Sequence, residues 1–235
     1  MSLVSAIIVA GGKGLRMNAA VRKQYLKLGN LPILSQTILA IDACPSVSKI
    51  YLAVPEEDRI LCKETVLAPI QVRCPVQLVS GGKIRQESVY NGLLAISEQD
   101  GIVLIHDGVR PFVTVDQVMR CINGAQTCGA CILGIPVKET LKRCDNRGNI
   151  EKTVDRTSLW LAQTPQAFNF QLIKKAHDLA ASENFTGTDD ASLVERMGER
   201  VAVIPGSIFN IKITTPADYS MAKALLNLHE YYNNE

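Results

Sequence analysis

Short apolar runs alternate with amphipathic stretches along most of the chain, and the runs end in polar or glycine-bearing turns. Residues 3–9 predict a first buried strand, and Ile33 to Ile41 has the spacing of a helix. Val47 to Val54 predicts a second strand, followed by a helix starting near Pro55-Glu56-Glu57. Val76 to Val79 predicts a short strand, Arg85 to Ser97 a helix, and Ile102 to Ile105 another buried strand. Thr114 is the expected N-cap of the next helix, and Cys131 to Ile135 is again an apolar strand. Alternation of this kind predicts a mostly parallel sheet covered on both faces.

After Pro136 the rhythm changes. Residues 140–143 and 151–154 alternate around Asn146-Arg147-Gly148-Asn149, which predicts a polar β-hairpin without a helical crossover. A lone hairpin is marginal in water, so packing against a second subunit is expected. Helices near 170–182 and 189–197, a strand over 200–204 and a final helix over 216–232 complete the pattern. Lys212 is expected as a lone lysine in an apolar strand just before Thr215-Pro216 opens that helix.

Composition narrows this reading. The 235 residues, 47% hydrophobic and 20% charged, suit one α/β domain with a sizeable core. A formal net charge of +2 leaves no global basic field, so nucleic acid is not an expected partner. No apolar run approaches the ~18 residues of a membrane span, so no membrane partner is expected either. Met1-Ser2-Leu3-Val4-Ser5 has no charged leader pattern, so the expectation is a cytoplasmic protein. Seven cysteines are scattered, and Cys128-Gly129-Ala130-Cys131 lacks a second pair or neighbouring histidines. Buried, reduced thiols are expected there.

The candidate chemistry begins at Ala10-Gly11-Gly12-Lys13-Gly14-Leu15-Arg16-Met17, where the first strand empties into glycines, with Lys23-Gln24 shortly after. Bare backbone N–H groups at such a turn approach an anion closely. The sequence is neither a P-loop nor a dinucleotide fingerprint, because Lys-Ser/Thr and the third glycine are missing. Glycines alone serve ordinary strand-to-helix turns. The paired Arg16 and Lys23 favour a triphosphate instead. Gly82 and Ser88, at a second glycine turn, are candidates for reading a base edge. Asp107, just beyond a buried strand, is a candidate Mg²⁺ ligand, the alternative being a helix cap or a salt bridge to Arg110. His106 is expected to be packed and hydrogen-bonded rather than a base. Cation clamps plus a metal, without a covalent nucleophile, suit phosphoryl or nucleotidyl transfer.

These blocks resemble the 2-C-methyl-D-erythritol 4-phosphate cytidylyltransferase family. The resemblance continues through His106-Asp107-Gly108-Val109-Arg110-Pro111, Pro136 to Lys142, Val154-Asp155-Arg156, Gln163-Thr164-Pro165-Gln166, Thr188 to Ser192 and Asn210-Ile211-Lys212. It implies a Rossmann-like, nucleotidyltransferase-type α/β fold over 1–235, with a protruding dimerisation arm at about 138–157. It also implies transfer of CMP from CTP to 2-C-methyl-D-erythritol 4-phosphate in isoprenoid precursor synthesis, with Mg²⁺ or another divalent cation, in a homodimer. By resemblance Arg16, Lys23 and Lys212 are catalytic, and Ala10, Gly11, Gly12, Gly14, Gly82 and Ser88 hold the nucleotide. Asp107, Arg110, Thr140, Arg156, Thr164 and Thr188 serve the acceptor, and Asp107 the metal. The chain departs from the family in having Val21-Arg22 where a proline is frequent, and Lys83 and Glu139 where aspartates are frequent. The alternatives are a cytidylyltransferase for a pentitol phosphate such as ribitol 5-phosphate, and a non-catalytic nucleotide-binding regulator.

Overall fold

A computed structural model describes residues 4–12, 22–97 and 101–233. At its centre β1 (Val4–Val9) pairs in parallel with β4 (Val47–Val54) and with β6 (Ile102–Asp107). β5 (Val76–Ser80) extends the sheet beyond β4, while β2 (Lys27–Leu28) and β3 (Leu31–Pro32) pair in a separate short hairpin. Beyond β6 come β10 (Trp160–Asn169), β7 (Ala130–Pro136) and β11 (Ala202–Pro205), giving the order β11-β7-β10-β6-β1-β4-β5. Only β10 runs against its neighbours, so the carboxyl ends of the other strands share one edge. Ligands of open α/β sheets bind outside that edge.

Both faces are covered, as the unbroken apolar runs require. Ala6 and Ile8 of β1 pack with Leu34, Ile38 and Ile41 of α1 (Ile33–Asp42) and with Val118 and Ile122 of α4 (Val115–Cys128). Ile7 and Val9 point the other way, towards Val89 and Leu93 of α3 (Arg85–Ala95). The same layer takes in Ile173 of α5 (Phe170–Ser182) and Leu193 of α6 (Asp190–Arg196). Thr114 does cap α4, in a reciprocal box with Gln117.

The polar hairpin is present. β8 (Leu141–Cys144) and β9 (Ile150–Val154) form their own two-stranded sheet, and nearly all their residues are exposed. Gly148 turns the chain at φ +85°, where a side chain would be strained, and Asp145 accepts from the N–H groups of Arg147 and Asn149.

Three expectations need correction. β10 has no counterpart in the pattern reading, because Gln163, Thr164, Pro165 and Gln166 interrupt its apolar run and its first residues are exposed. The helix expected after Pro55 is broken into a 3₁₀ turn (Glu56–Asp58), one turn of α2 (Arg59–Cys62) and a π turn (Lys63–Leu67). Ile211 to Thr214 is not a strand of the sheet. It is an extended segment held by the Ile213 N–H on Val109 O (3.0 Å), leading into α7 (Pro216–Asn233). The C-x-x-C cysteines part company too: Cys131 is buried in β7, whereas Cys128 is exposed at the end of α4, and both are free thiols. Among the described residues no helix is long and apolar enough to cross a membrane.

Candidate active site

At the carboxyl edge of the sheet two cavities lie side by side. The first, of about 290 Å³, runs between the end of β1 and the start of α3. Ala10, Gly11, Gly12, Lys23, Gly82, Ser88, Asp107 and Lys212 are all on its walls, so the sequence candidates for the nucleotide half converge. Gly14 and Arg16 lie outside the described residues. The second cavity, of about 250 Å³, brings together Asp107, Arg110, Thr164, Thr188 and Lys212. Thr140 and Arg156 line neither one. They sit out on the arm, where Arg156 donates to the Lys138 carbonyl.

Three residues are common to both cavities: Arg85, Asp107 and Lys212. They form the wall between them. Asp107 ends β6 and is only 5% exposed. Its Oδ1 accepts from Arg85 Nε (3.0 Å), while Oδ2 meets Lys212 Nζ (3.0 Å) and Arg110 Nε (3.4 Å). Burial pushes its pKa up, but Arg85, Lys212 and Arg110 outweigh burial and hold it well below the usual carboxylate range. Asp107 is therefore ionised throughout the physiological range. Both the capping and the Arg110-pairing alternatives understate it, since it anchors three cations.

Arg85 and Asp190 were not singled out by the sequence. Arg85 reaches from the first turn of α3 to Asp107 and, through Nη1, to Asp190 (2.7 Å), which is fully buried. Asp190 also meets His177 Nε2 at 3.2 Å. Burial would lower the Arg85 pKa, yet the two carboxylates raise it, so its charge is fixed. Its Nη2 is buried without a hydrogen-bond partner among the described residues. The signal that could have found Arg85 is the second glycine turn, Gly81-Gly82, which puts a basic residue at a helix start beside the strand-end acid.

His106 is packed, as expected. Its Nε2 faces the Arg110 carbonyl (3.0 Å), a pure acceptor, so Nε2 carries the proton. Nδ1 then accepts from the Thr164 hydroxyl (3.1 Å), whose oxygen accepts the Asp107 N–H (3.0 Å). Complete burial pushes its pKa down to about 4, so the ring is neutral. Thr164 can reach this position because Thr164 and Pro165 bulge out of the β10–β7 pairing. Asn210 donates to the Thr164 carbonyl (2.9 Å), and its own carbonyl accepts from Arg110 (2.7 Å), which ties the Lys212 segment to the same bulge.

At the cytosine candidates, the Gly82 N–H donates to Ser88 Oγ (3.0 Å), which donates in turn to the Ile84 carbonyl (3.1 Å). The two residues thus fix each other and shape the turn. A side chain at Gly82 would collide with Glu87, its Cβ lying 2.1 Å from Glu87 Cβ, so the turn is closed to anything larger.

Among the described residues no three His, Cys, Asp or Glu side chains converge as a metal cage. Mg²⁺ needs none, since it takes one or two carboxylates, waters and substrate phosphates. Asp107 is the only carboxylate among the described residues lining the first cavity, and its Oδ1 accepts from Arg85. The residues fit a divalent ion that arrives with a triphosphate, whose negative charge offsets Arg85, Arg110 and Lys212.

A family model for 2-C-methyl-D-erythritol 4-phosphate cytidylyltransferase matches residues 4–228. A protein of that name from Syntrophotalea carbinolica is 49% identical over 225 residues, covering 95% of this chain and 96% of its own. Another, from Syntrophus aciditrophicus, is 45% identical over 227 residues and covers 97% of both chains. The crystal structure of a 4-diphosphocytidyl-2C-methyl-D-erythritol synthase from Anaerococcus prevotii superposes with a TM-score of 0.84 at 32% identity, covering 96% of each chain.

Proposed function

The chain belongs to the 2-C-methyl-D-erythritol 4-phosphate cytidylyltransferase family, and from that membership we infer the reaction it performs. It transfers CMP from CTP to 2-C-methyl-D-erythritol 4-phosphate, giving 4-diphosphocytidyl-2-C-methyl-D-erythritol and pyrophosphate, a step of isoprenoid precursor synthesis. The observation that carries the mechanism is the wall of Arg85, Asp107 and Lys212 shared by two adjacent cavities. CTP occupies the first, with its triphosphate at Gly11, Gly12 and Lys23. The acceptor phosphate occupies the second, near Arg110, Thr164 and Thr188. A phosphate oxygen of the acceptor attacks the α-phosphorus in line as the bond from that phosphorus to the β-phosphate oxygen breaks.

The attacking oxygen is already an anion, so no general base is required. Lys212, on the shared wall, faces the α-phosphate and stabilises the charge that builds on it. Arg85 holds the wall in place. Asp107 would hold Mg²⁺, which would supply neutralisation of the triphosphate charge. The exposed arm over about 138–157 belongs to a homodimer in this reading, delivering Thr140 and Arg156 to the acceptor cavity of the other subunit. Two phosphorylated, water-borne substrates suit a cytoplasmic location.

The test follows α-phosphate-labelled CTP with Mg²⁺ and methylerythritol phosphate, with ribitol 5-phosphate as a parallel acceptor. Label should move to methylerythritol phosphate with matching pyrophosphate release. Faster transfer to ribitol 5-phosphate, or tight CTP binding without transfer to either, would overturn the reading.

A further inference from the structure

Arg22 stands immediately before Lys23, yet its side chain turns away from the first cavity. Its Nη1 donates to Asp58 Oδ2 (2.8 Å) and its Nη2 to Glu57 Oε1 (2.7 Å). Tyr25, two residues beyond Lys23, donates its hydroxyl to the same Asp58 oxygen (3.0 Å). Glu57 and Asp58 lie on the 3₁₀ turn that follows β4, and Asp58 is buried. Between these anchors, the buried Gln24 side chain donates to the Ala10 carbonyl (2.7 Å), and Ala10 N–H bonds to Ala53 O (2.9 Å). Lys23 is therefore bracketed by tethers on both sides.

The backbone at Arg22 has φ −59° and ψ 138°. That is the basin in which a proline ring would lock the chain. An arginine there has no covalent lock, so the conformation must be selected by what its side chain holds. Burial and the Asp58 contact raise the Tyr25 pKa, and the Glu57 hydrogen bond raises that of Arg22, so neither donor loses its proton in ordinary buffers.

We propose that Arg22, Glu57, Asp58 and Tyr25 form a charge clamp whose task is to position Lys23 for the triphosphate. Two carboxylates beside a polyanion site would weaken binding if they acted through space alone. As a clamp they strengthen it. Arg22, correspondingly, contributes through the conformation it fixes rather than through its own charge on the ligand. The proposal rests on the assignment of CTP to the first cavity, and one arm of its test does not use CTP.

That arm is hydrogen exchange in the ligand-free protein at the Tyr25 and Leu26 amides, which bond to the Arg22 and Lys23 carbonyls at 3.0 and 3.1 Å. The other is the dissociation constant for CTP with Mg²⁺. Arg22→Ala, and the double variant Glu57→Gln/Asp58→Asn, should each speed exchange at both amides and weaken CTP roughly fivefold, as loss of a well-made ion pair does. Arg22→Pro, which presets the same φ, should keep both quantities within about twofold of the parent. Tighter CTP binding by the double variant, or an Arg22→Pro protein as impaired as Arg22→Ala, would overturn the clamp. So would unchanged exchange in Arg22→Ala. Failure of the parent protein to bind CTP would instead count against the nucleotide assignment, and the exchange measurement would still judge the clamp.

Discussion

The two cavities that share the Asp107 wall are built in opposite ways. The nucleotide cavity is made largely of short, contiguous pieces: residues 9–12 at the end of β1, residues 23–24 in a 3₁₀ turn, and residues 82–85 between β5 and α3. The acceptor cavity draws on Arg110, Ala162 to Gln166 and Thr188-Asp189, brought together by a reversed strand, a bulge and a helix cap. In the proposed reaction one half meets a triphosphate with backbone and fixed cations, a task that local sequence can accomplish. The other must distinguish one polyol phosphate from another, and its two arm candidates, Thr140 and Arg156, lie outside it in a single chain. A general task is encoded locally and a specific one through tertiary structure.

The largest expected effect falls in the nucleotide half alone. Lys23→Ala should lower kcat about 10²–10³-fold, the usual loss on removing a preorganised donor at a developing charge. The KM for methylerythritol phosphate should change by less than about twofold, and steady-state kinetics in both substrates measures the split. A comparable rise in acceptor KM would blur the division between the halves.

Arg85→Met strikes the shared wall. It leaves Asp190, fully buried, with the His177 ring as its remaining ion-pair or ring partner among the described residues, and removes one cation from Asp107. Stability should fall by about 3 kcal/mol, read as a shift in the urea midpoint, because an orphaned buried charge is costly. Both KM values should rise together, unlike the one-sided effect of Lys23→Ala.

A smaller effect separates the acceptor half by pH. His106 is buried neutral with a pKa near 4, against 6.5 unperturbed. The unfolded chain binds its proton first, so the stability contributed is complete above about pH 6.5 and is lost as pH falls towards 4. By pH 5 the loss should be about 2 kcal/mol relative to pH 7.5. His106→Gln should flatten that part of the urea-midpoint profile. Asp107 is also shifted downward, but in favour of its charged form and from a carboxylate value already below this range, so it stays ionised and contributes almost no slope between pH 5 and 8.

Much of the fold was legible in the sequence because buried parallel strands leave continuous apolar runs, as in β1, β4 and β6. β10 escaped because its bulge carries the polar Gln163 and Thr164, whose value lies in contacts with Ser207, Asp107 and His106 far along the chain. Lys212 was found, but as a strand residue, since an apolar flank does not reveal whether a ladder partner exists. Arg85 and Asp190 were missed for a related reason. They are 105 residues apart and acquire meaning only from the 2.7 Å contact between them. Arg22, whose neighbours the sequence does not reveal, pairs with Glu57 and Asp58, 35 and 36 residues along the chain.

The division between the halves is tested most directly by mixing two inactive proteins after subunit exchange. One carries Lys23→Ala, which spoils its own nucleotide half; the other carries Arg156→Ala, which spoils the arm it lends. Half of the dimers formed at random are mixed, and each has one site with an intact core and an intact arm. CMP transfer should therefore recover to about one quarter of the parent rate, as the symmetry of a two-fold dimer dictates. No recovery above the sum of the two separate variants would mean that each chain completes its own acceptor cavity.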